Sequence, residues 1–398
     1  MSRRTQPLPH RAHRPHRRPV RLVAGLVVVA AIAVGVDRAF FAGQQTRSEF
    51  MQSTLDSLVT GPHRLAPGVT AYVIGPHGTW AGSAGVADVK NAEPMPSDAR
   101  MRIESASKTW LVAAVLHLVQ EGKLSLDDTV DRWLPGLLRA HGSEITLRQL
   151  MSNSSGLIDD NDITQATPAE KHALLARVGD PKLRARLLAT AARIRANPAA
   201  RSSPLLWIRL AAWQPLLASP GTTYHHSNIG WNIAGLIAEE AAGKPLPILY
   251  RERLFQPLRL RHTAYDPQGP IAGAHASGYA LSADGTLTDT TARHYGKGAD
   301  GAIVTDAEDE ATFLTALTDG TLLDASTLGE LGEGDRSGCG GPSVHGDPGA
   351  GEGFESNVVY AADGSRVAVL LLNGVTPGET RTGWARSTSA AASLYCAG

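Results

Sequence analysis

Ser105 and Lys108 are separated by two small residues in Glu104-Ser105-Ala106-Ser107-Lys108. On a helix, positions i and i+3 share one face, with Cβ atoms roughly 5–6 Å apart. Lys108 can therefore sit beside the Ser105 hydroxyl. An amine partly withdrawn from water has a lowered pKa and can help take the hydroxyl proton, while the amino end of the helix helps hold an oxyanion. The chemistry is attack by serine on a carbonyl. A lone Ser-x-x-Lys is weak evidence, because serine is abundant. Its setting strengthens it: Trp110 to Val119 (WLVAAVLHLV) is apolar on nearly every side, and a lysine is an odd tenant at the start of so buried a helix.

Two further segments gather polar groups. Pro220 to Trp231 (PGTTYHHSNIGW) holds His226, Ser227 and Asn228, and His345 to Phe354 (HGDPGAGEGF) holds His345, Asp347, Gly349 and Ala350. Taken singly, each reads as a turn. The sequence has no Gly-x-Ser-x-Gly elbow, no His-Glu-x-x-His, no Cys-x-x-Cys and no Cys with His at metal-ligand spacing. His10, His13 and His16 stand in the basic amino-terminal tail and read as solvated.

The elements that must position these groups are legible as periodicity. Gly68 to Val86 reads as two short strands around a turn at Gly78, with Val69, Ala71 and Val73 alternating. The buried helix after Lys108 should end at Gly122. Residues 158–218 form a polar, Arg- and Ala-rich helical stretch, bounded by Asp159, Asp160 and Asp162 at one end and Pro220-Gly221 at the other, and read as a lid or subdomain. Asn228 to Ala242 is a second apolar helix. Val358 to Tyr360 and Val367 to Asn373 flank an Ala-Asp-Gly-Ser turn and predict an antiparallel hairpin. The expected fold class is α+β: an antiparallel sheet of amino- and carboxyl-terminal strands, flanked by helices, with an all-helical subdomain.

A chain of 398 residues that is 42% hydrophobic and 19% charged can bury a large core. Its 38 basic and 38 acidic residues balance, but residues 1–21 hold seven arginines and no acid, so the remainder has 31 basic against 38 acidic residues. A mildly acidic body argues against nucleic acid as a partner. Leu22 to Val36 is an unbroken run of small and apolar residues. At 1.5 Å per residue it reaches about 22 Å against a hydrocarbon layer of about 30 Å. Residues 1–21 thus read as a basic tail, 22–42 as a signal peptide or membrane anchor, and 46–398 as the exported domain, extracytoplasmic and secreted or anchored. The two cysteines, Cys339 and Cys396, fit one disulfide in an oxidising compartment, contributing about 4 kcal/mol.

In their order along the chain, Ser-x-x-Lys, His226-Ser227-Asn228 and the glycine-rich strand entry resemble the signature of the penicillin-recognising serine hydrolases. The flanking stretches RIESASKTWLVAAVLHLVQEGKLSLDD, ITLRQLMSNSSGL, SPGTTYHHSNIGWNIAGLIAEEAAGKPL and GEGFESNVVYAADGSRVAVLLLNG are similar to the branch holding class C β-lactamases, D-alanyl-D-alanine carboxypeptidases and related esterases. The resemblance covers about residues 60–375. It implies a β-lactamase/DD-peptidase-like fold, Ser105 as acylated nucleophile, Lys108 as its proton partner and Asn228 as a substrate-amide contact. It also implies the backbone N–H groups of Ser105 and Ala350 as the oxyanion hole, and no cofactor.

Two departures matter. His226 stands where the family has tyrosine, and Asp347-Pro348-Gly349 where it has Lys/His-x-Gly, with His345 two residues earlier. A phenol titrates near 10 and needs neighbouring cations to serve as a base, whereas an imidazole titrates near 6.5 and does not. The replacements are read as paired, with His226 as general base and Asp347 orienting it, beside Lys108. Losing the third-motif cation weakens the hold on a substrate carboxylate, which Arg193 or Arg195 of the insertion could restore. The expected function is an exported serine hydrolase acting on a small-molecule or peptide-like amide or ester, D-Ala cell-wall linkages first. The alternatives are a β-lactamase or esterase of the same fold, or a decayed, membrane-anchored wall-binding protein.

Overall fold

Strands from the two ends of the chain pair at the centre of one sheet. The computed structural model describes residues 46–398 apart from 63, 198–201, 268–270, 283, 293–297, 332–335, 338–342, 347, 352 and 376–379. Strand β1 (Gly68–Gly75) turns tightly into β2 (Gly78–Asp88), with Gly78 at φ +100°. Near the carboxyl end come β3 (Ser343–Gly346), β4 (Gly349–Gly351), β5 (Phe354–Ala361) and β6 (Val367–Leu372). The sheet runs β2-β1-β6-β5-β3, with β4 also on β5 and the two-residue strands Glu93–Pro94 and Arg336–Ser337 at its edges. All its pairings are antiparallel, with Val69 opposite Leu372 and Glu355 opposite the same Leu372. The hairpin predicted at 358–373 and the joining of both termini in one sheet are borne out.

The two-residue period explains how this sheet is covered. Val69, Ala71, Val73, Ala368, Leu370 and Leu372 face Met51, Leu55 and Leu58 of a helix and Ala391, Leu394 and Tyr395 of the last helix. Val358, Tyr360, Val367, Val369 and Leu371 belong to the other core, which contains the helical body of the protein. At roughly 1.5–3 kcal/mol per large apolar side chain, both layers stabilise the sheet.

Helix α1 (Ser107–Gln120) is central to the second layer, as its all-round apolarity predicts, and Gly122 follows at φ +67°. Trp110 stacks on Phe313, with ring centroids 3.7 Å apart, and meets Phe255 edge-on at 5.5 Å. The indole N–H donates to Glu310 Oε2 at 3.0 Å, so its polar atom is satisfied inside the core. The insertion folds as four short helices, α2 (Asp160–Gln165), α3 (Pro168–Ala176), α4 (Pro181–Ala196) and α5 (Pro204–Ala211). Three of them begin with proline at the first helical position, where its missing N–H costs nothing. Helix α6 (Asn228–Ala242) has the predicted bounds, with Ser227 as N-cap and Gly243 left-handed behind it. Then come α7 (Ala307–Thr318) and α8 (Thr380–Ala397).

Among the described residues no helix is long and apolar enough to cross a membrane, and the run 22–36 lies outside them. Cys396 is on α8, while Cys339 lies outside the described residues.

Candidate active site

Ser105 sits in the single 3-10 turn Glu104–Ala106 that heads α1. Lys108, one turn along, donates from Nζ to Ser105 Oγ at 2.7 Å and to the backbone carbonyl of Asp300 at 3.1 Å. Both side chains are half-buried. The pair is therefore formed, as the i, i+3 spacing predicts. Glu104, immediately before the nucleophile, is buried and left-handed at φ +52°, a conformation that side chains other than glycine rarely take. Such strain persists only where the surroundings impose it.

Those surroundings can be named. Ser356 Oγ on β5 donates to the Ile103 carbonyl at 2.7 Å, and the Ile303 N–H donates to Ser107 Oγ at 3.1 Å. The Ile103 N–H donates in turn to the Ile303 carbonyl at 3.2 Å. Gly349 of β4 presses against the same turn: a Cβ there would fall 2.2 Å from Ile103 O and 2.8 Å from Ser105 N. Only glycine permits this approach. It brings the neighbouring Ala350 to the cavity that Ser105 lines, which is where the oxyanion hole is expected.

The opposite wall is a zipper between residues 153–162 and 225–228. Asn153 Oδ1 accepts from the Ser227 N–H and from Trp231 Nε1, both at 3.1 Å. Ser227 Oγ donates to the Ile158 carbonyl at 3.1 Å and accepts from the Gly230 N–H at 3.2 Å. Asp159 Oδ1 accepts the Asn228 N–H at 2.7 Å, and its Oδ2 lies 3.1 Å from His226 Nδ1. Asp160 Oδ1 accepts from Asn228 Nδ2 at 3.0 Å, and Asp162 Oδ2 lies 2.8 Å from His225 Nε2.

The two adjacent carboxyls are driven apart. Burial works to raise Asp159, but hydrogen bonds from His226, Asp160 and the Asn228 backbone outweigh it and hold Asp159 well below the usual carboxylate range. Burial, then the hydrogen bond to Asp159 and its charge, raise Asp160 to about 7. One anion and one acid thus share the site, as two close carboxylates must. An ionised Asp159 accepts a hydrogen bond from the Nδ1–H of His226, which leaves Nε2 as the ring nitrogen able to serve as a base.

A cavity of about 1350 Å³ joins the two walls. Ser105, Lys108, His226, Asn228, His345 and Ala350 all line it, and Gly349 lies buried behind them. His345 on β3 stacks on its register partner Tyr360, centroids 5.2 Å apart. Arg195 also lines the cavity. Asp347 lies outside the described residues; among the described residues the carboxylate beside His226 is Asp159, 67 positions earlier in the chain. Asn228 has its amide N–H group committed to Asp160, and its Oδ1 is buried without a hydrogen-bond partner among the described residues. Asp159, Asp160 and Asp300 are further residues of the site; in the sequence the first two mark only a helix boundary, and Asp300 carries no signal. The available signal was Asp-Asp-x-Asp directly after the Ser-Gly-Leu-Ile turn. Among the described residues no cluster of three or more His, Cys, Asp or Glu is arranged to hold a metal ion.

Known proteins share this architecture. The esterase EstB of Burkholderia gladioli is 30% identical over 185 residues, covering 46% of this chain and 42% of its own. A D-aminopeptidase of Cereibacter sphaeroides is 28% identical over 207 residues, covering 52% and 34% respectively. The matched stretches span between 34% and 52% of the lengths of such curated relatives. Solved structures match over nearly the whole domain. The D-stereospecific amidohydrolase from Streptomyces sp. superposes with a TM-score of 0.66 at 24% identity, covering 84% of this chain and 96% of that one. The D-amino acid amidase from Ochrobactrum anthropi SV3 gives 0.67 at 22% identity, covering 87% and 98%. The family model described as Beta-lactamase matches residues 48–393. With a lysine amine on the hydroxyl of Ser105 and a sheet built from both ends around that pair, the chain belongs to the Beta-lactamase family of serine hydrolases.

Proposed function

We propose that this protein is an exported hydrolase that cleaves an ester or amide through an acyl-enzyme on Ser105. The observation that carries the reading is the 2.7 Å Lys108–Ser105 bond at the wall of a cavity large enough for substrate. In the resting state the ammonium donates; as the neutral amine, Lys108 accepts the hydroxyl proton while Oγ attacks the carbonyl carbon. The N–H groups of Ser105 and Ala350 take the developing oxyanion. The proton then goes to the leaving alcohol or amine as its bond to the acyl carbon breaks. In the second half-reaction water gives a proton to a base as its oxygen bonds the acyl carbon, the bond from that carbon to Oγ breaks, and the base returns the proton to Oγ, which releases the acid and restores Ser105. His226, held by Asp159, is the base assigned to that water.

Ester and amide substrates agree with relatives named as an esterase, a D-aminopeptidase and a D-amino acid amidase. A D-Ala-terminated peptide is a second reading, favoured by Arg195 and His345, two groups at the same cavity able to meet a carboxylate. Export rests on the apolar run at 22–36 and the Cys339–Cys396 pair.

Stopped-flow hydrolysis of p-nitrophenyl acetate by the full chain and by Ser105→Ala, with intact mass of the quenched protein, is the test. A burst and an acetyl adduct, both lost in Ser105→Ala, are expected. A folded chain with neither sinks the reading in favour of a wall-binding protein. Release of D-alanine from a D-Ala-D-Ala peptide separates the two substrate readings.

A further inference from the structure

The insertion does more than cover the site. Leu187, Ala191 and Ile194 follow one another at i, i+4 and i+7 on α4, and all three line the cavity that Ser105 lines. That spacing is one stripe of a helix. Leu174 on α3 and Trp207 and Leu210 on α5 continue the same wall. Trp207 Nε1 donates to Ser202 Oγ at 2.9 Å, so its N–H is already satisfied and the ring offers apolar surface. A cavity of about 1350 Å³ exceeds the roughly 300–1,000 Å³ that holds a drug-sized ligand, and far exceeds what an acetyl or alanyl group fills.

The same helices also bring two cations to the lining, Lys171 of α3, whose Nζ donates to the Thr164 carbonyl at 2.8 Å, and Arg195 near the end of α4. A leaving group must receive its proton beside Ser105, and Lys108, the amine bonded to Ser105 Oγ, comes from α1, with His226 and His345 from the α6 entry and β3, whereas Lys171 of α3 is held by the Thr164 carbonyl. The leaving side is therefore the one beside Lys108. Resting on the acyl-enzyme reading above, we infer that α3, α4 and α5 form an acyl-chain subsite and that the substrates are esters or amides of medium-length aliphatic acids.

The test is a p-nitrophenyl ester series from acetate to octanoate on the full chain, with the leaving group fixed. The ratio of kcat/KM for octanoate to that for acetate should be at least about tenfold, since each buried methylene can add up to roughly fourfold. Ala191→Trp or Ile194→Trp, which fill the subsite, should lower that ratio about tenfold. Leu188→Trp, at an exposed position on the same helix that does not line the cavity, should leave it alone. A flat or falling profile alongside Ser105-dependent acetate turnover overturns the subsite. So does an equal fall of the ratio in Leu188→Trp and Ala191→Trp, or chain-length selectivity that appears only in the alcohol of n-alkyl acetates. Failure of all Ser105-dependent turnover counts against the acyl-enzyme reading alone. The subsite is then decided by calorimetry of decanamide with the Ser105→Ala chain: binding that Ala191→Trp abolishes upholds it, and no binding overturns it.

Discussion

The two walls of the cavity are built on different principles. Around Ser105 the contacts are backbone to backbone or short side chain to backbone: Ser356 to Ile103, Ile303 to Ser107, and Gly349 against Ser105 with no room for a methyl group. Across the cavity longer side chains bond one another as well as the backbone, with Asp159, Asp160 and His226 at the root and apolar groups, beside Arg195, along α4. Backbone contacts leave few alternative geometries, which suits a nucleophile that must be placed within a fraction of an ångström. A wall of side chains can change residue by residue without moving the nucleophile, which suits selection among substrates. The family's chemistry belongs to the first wall and this chain's particular substrate to the second.

Substitutions can break that division. The largest effect is expected for Lys108→Ala, which removes the proton partner: the acylation burst should slow by about 10³-fold, within the range for general-base loss. A burst that survives would shift the task to His226. Next is Gly349→Ala, a single methyl directed at the Ile103 carbonyl. Displacing β4 from the nucleophile should cost about 10²-fold in acylation, with a lower melting temperature by calorimetry. An unchanged burst would mean that the strand does not set the oxyanion site. On the other wall, Asp159→Asn keeps an acceptor for the Asn228 N–H but takes the anion from His226. Turnover should fall about tenfold through deacylation, with the acyl adduct accumulating in the mass spectrum. If acylation falls instead, His226 serves the first half-reaction.

The smallest effect concerns stability. Asp160 keeps its proton up to about 7 in the folded chain, against an ordinary value of 3.8. A carboxyl raised in this way contributes stability that is complete below about pH 4 and is lost as the pH rises towards 7. Asp160→Asn stays neutral throughout. Its melting temperature relative to the parent should therefore improve by about 1–3 °C between pH 4 and pH 8 in a thermal scan. A shift of opposite sign would mean that Asp159, not Asp160, carries the proton.

What was legible in the sequence follows the same division. The Ser-x-x-Lys turn, the buried α1, the bounds of α6 and the terminal hairpin each depend on neighbours within a few residues, where periodicity and caps speak directly. The partner of His226 did not, because Asp159 lies 67 positions away and is brought there by Asn153 and Ser227. At Asp159, Asp160 and Asp162 the sequence signals a helix start, and the structure shows that it is one: Asp159 caps α2 while serving the site. The side sheets, such as Met101–Arg102 with Ile303–Thr305 and Ala264–Tyr265, have strands of two or three residues, too short to show any period. The left-handed Glu104 leaves no trace in residue type at all.

The pairing of Val69 with Leu372 also sets an order of events during synthesis. Ser105 is translated early, but the groups that fix its turn, at Ile303, Gly349 and Ser356, are translated much later. Strand β1 has only β2 beside it until β6 emerges and docks on its other edge, carrying β5 with it. Contacts this distant along the chain make folding slow, because a large loop must close before any of them forms. A truncated product ending before residue 349 therefore carries the serine and the lysine without a finished nucleophile, so the reactive hydroxyl is armed only when translation is nearly complete.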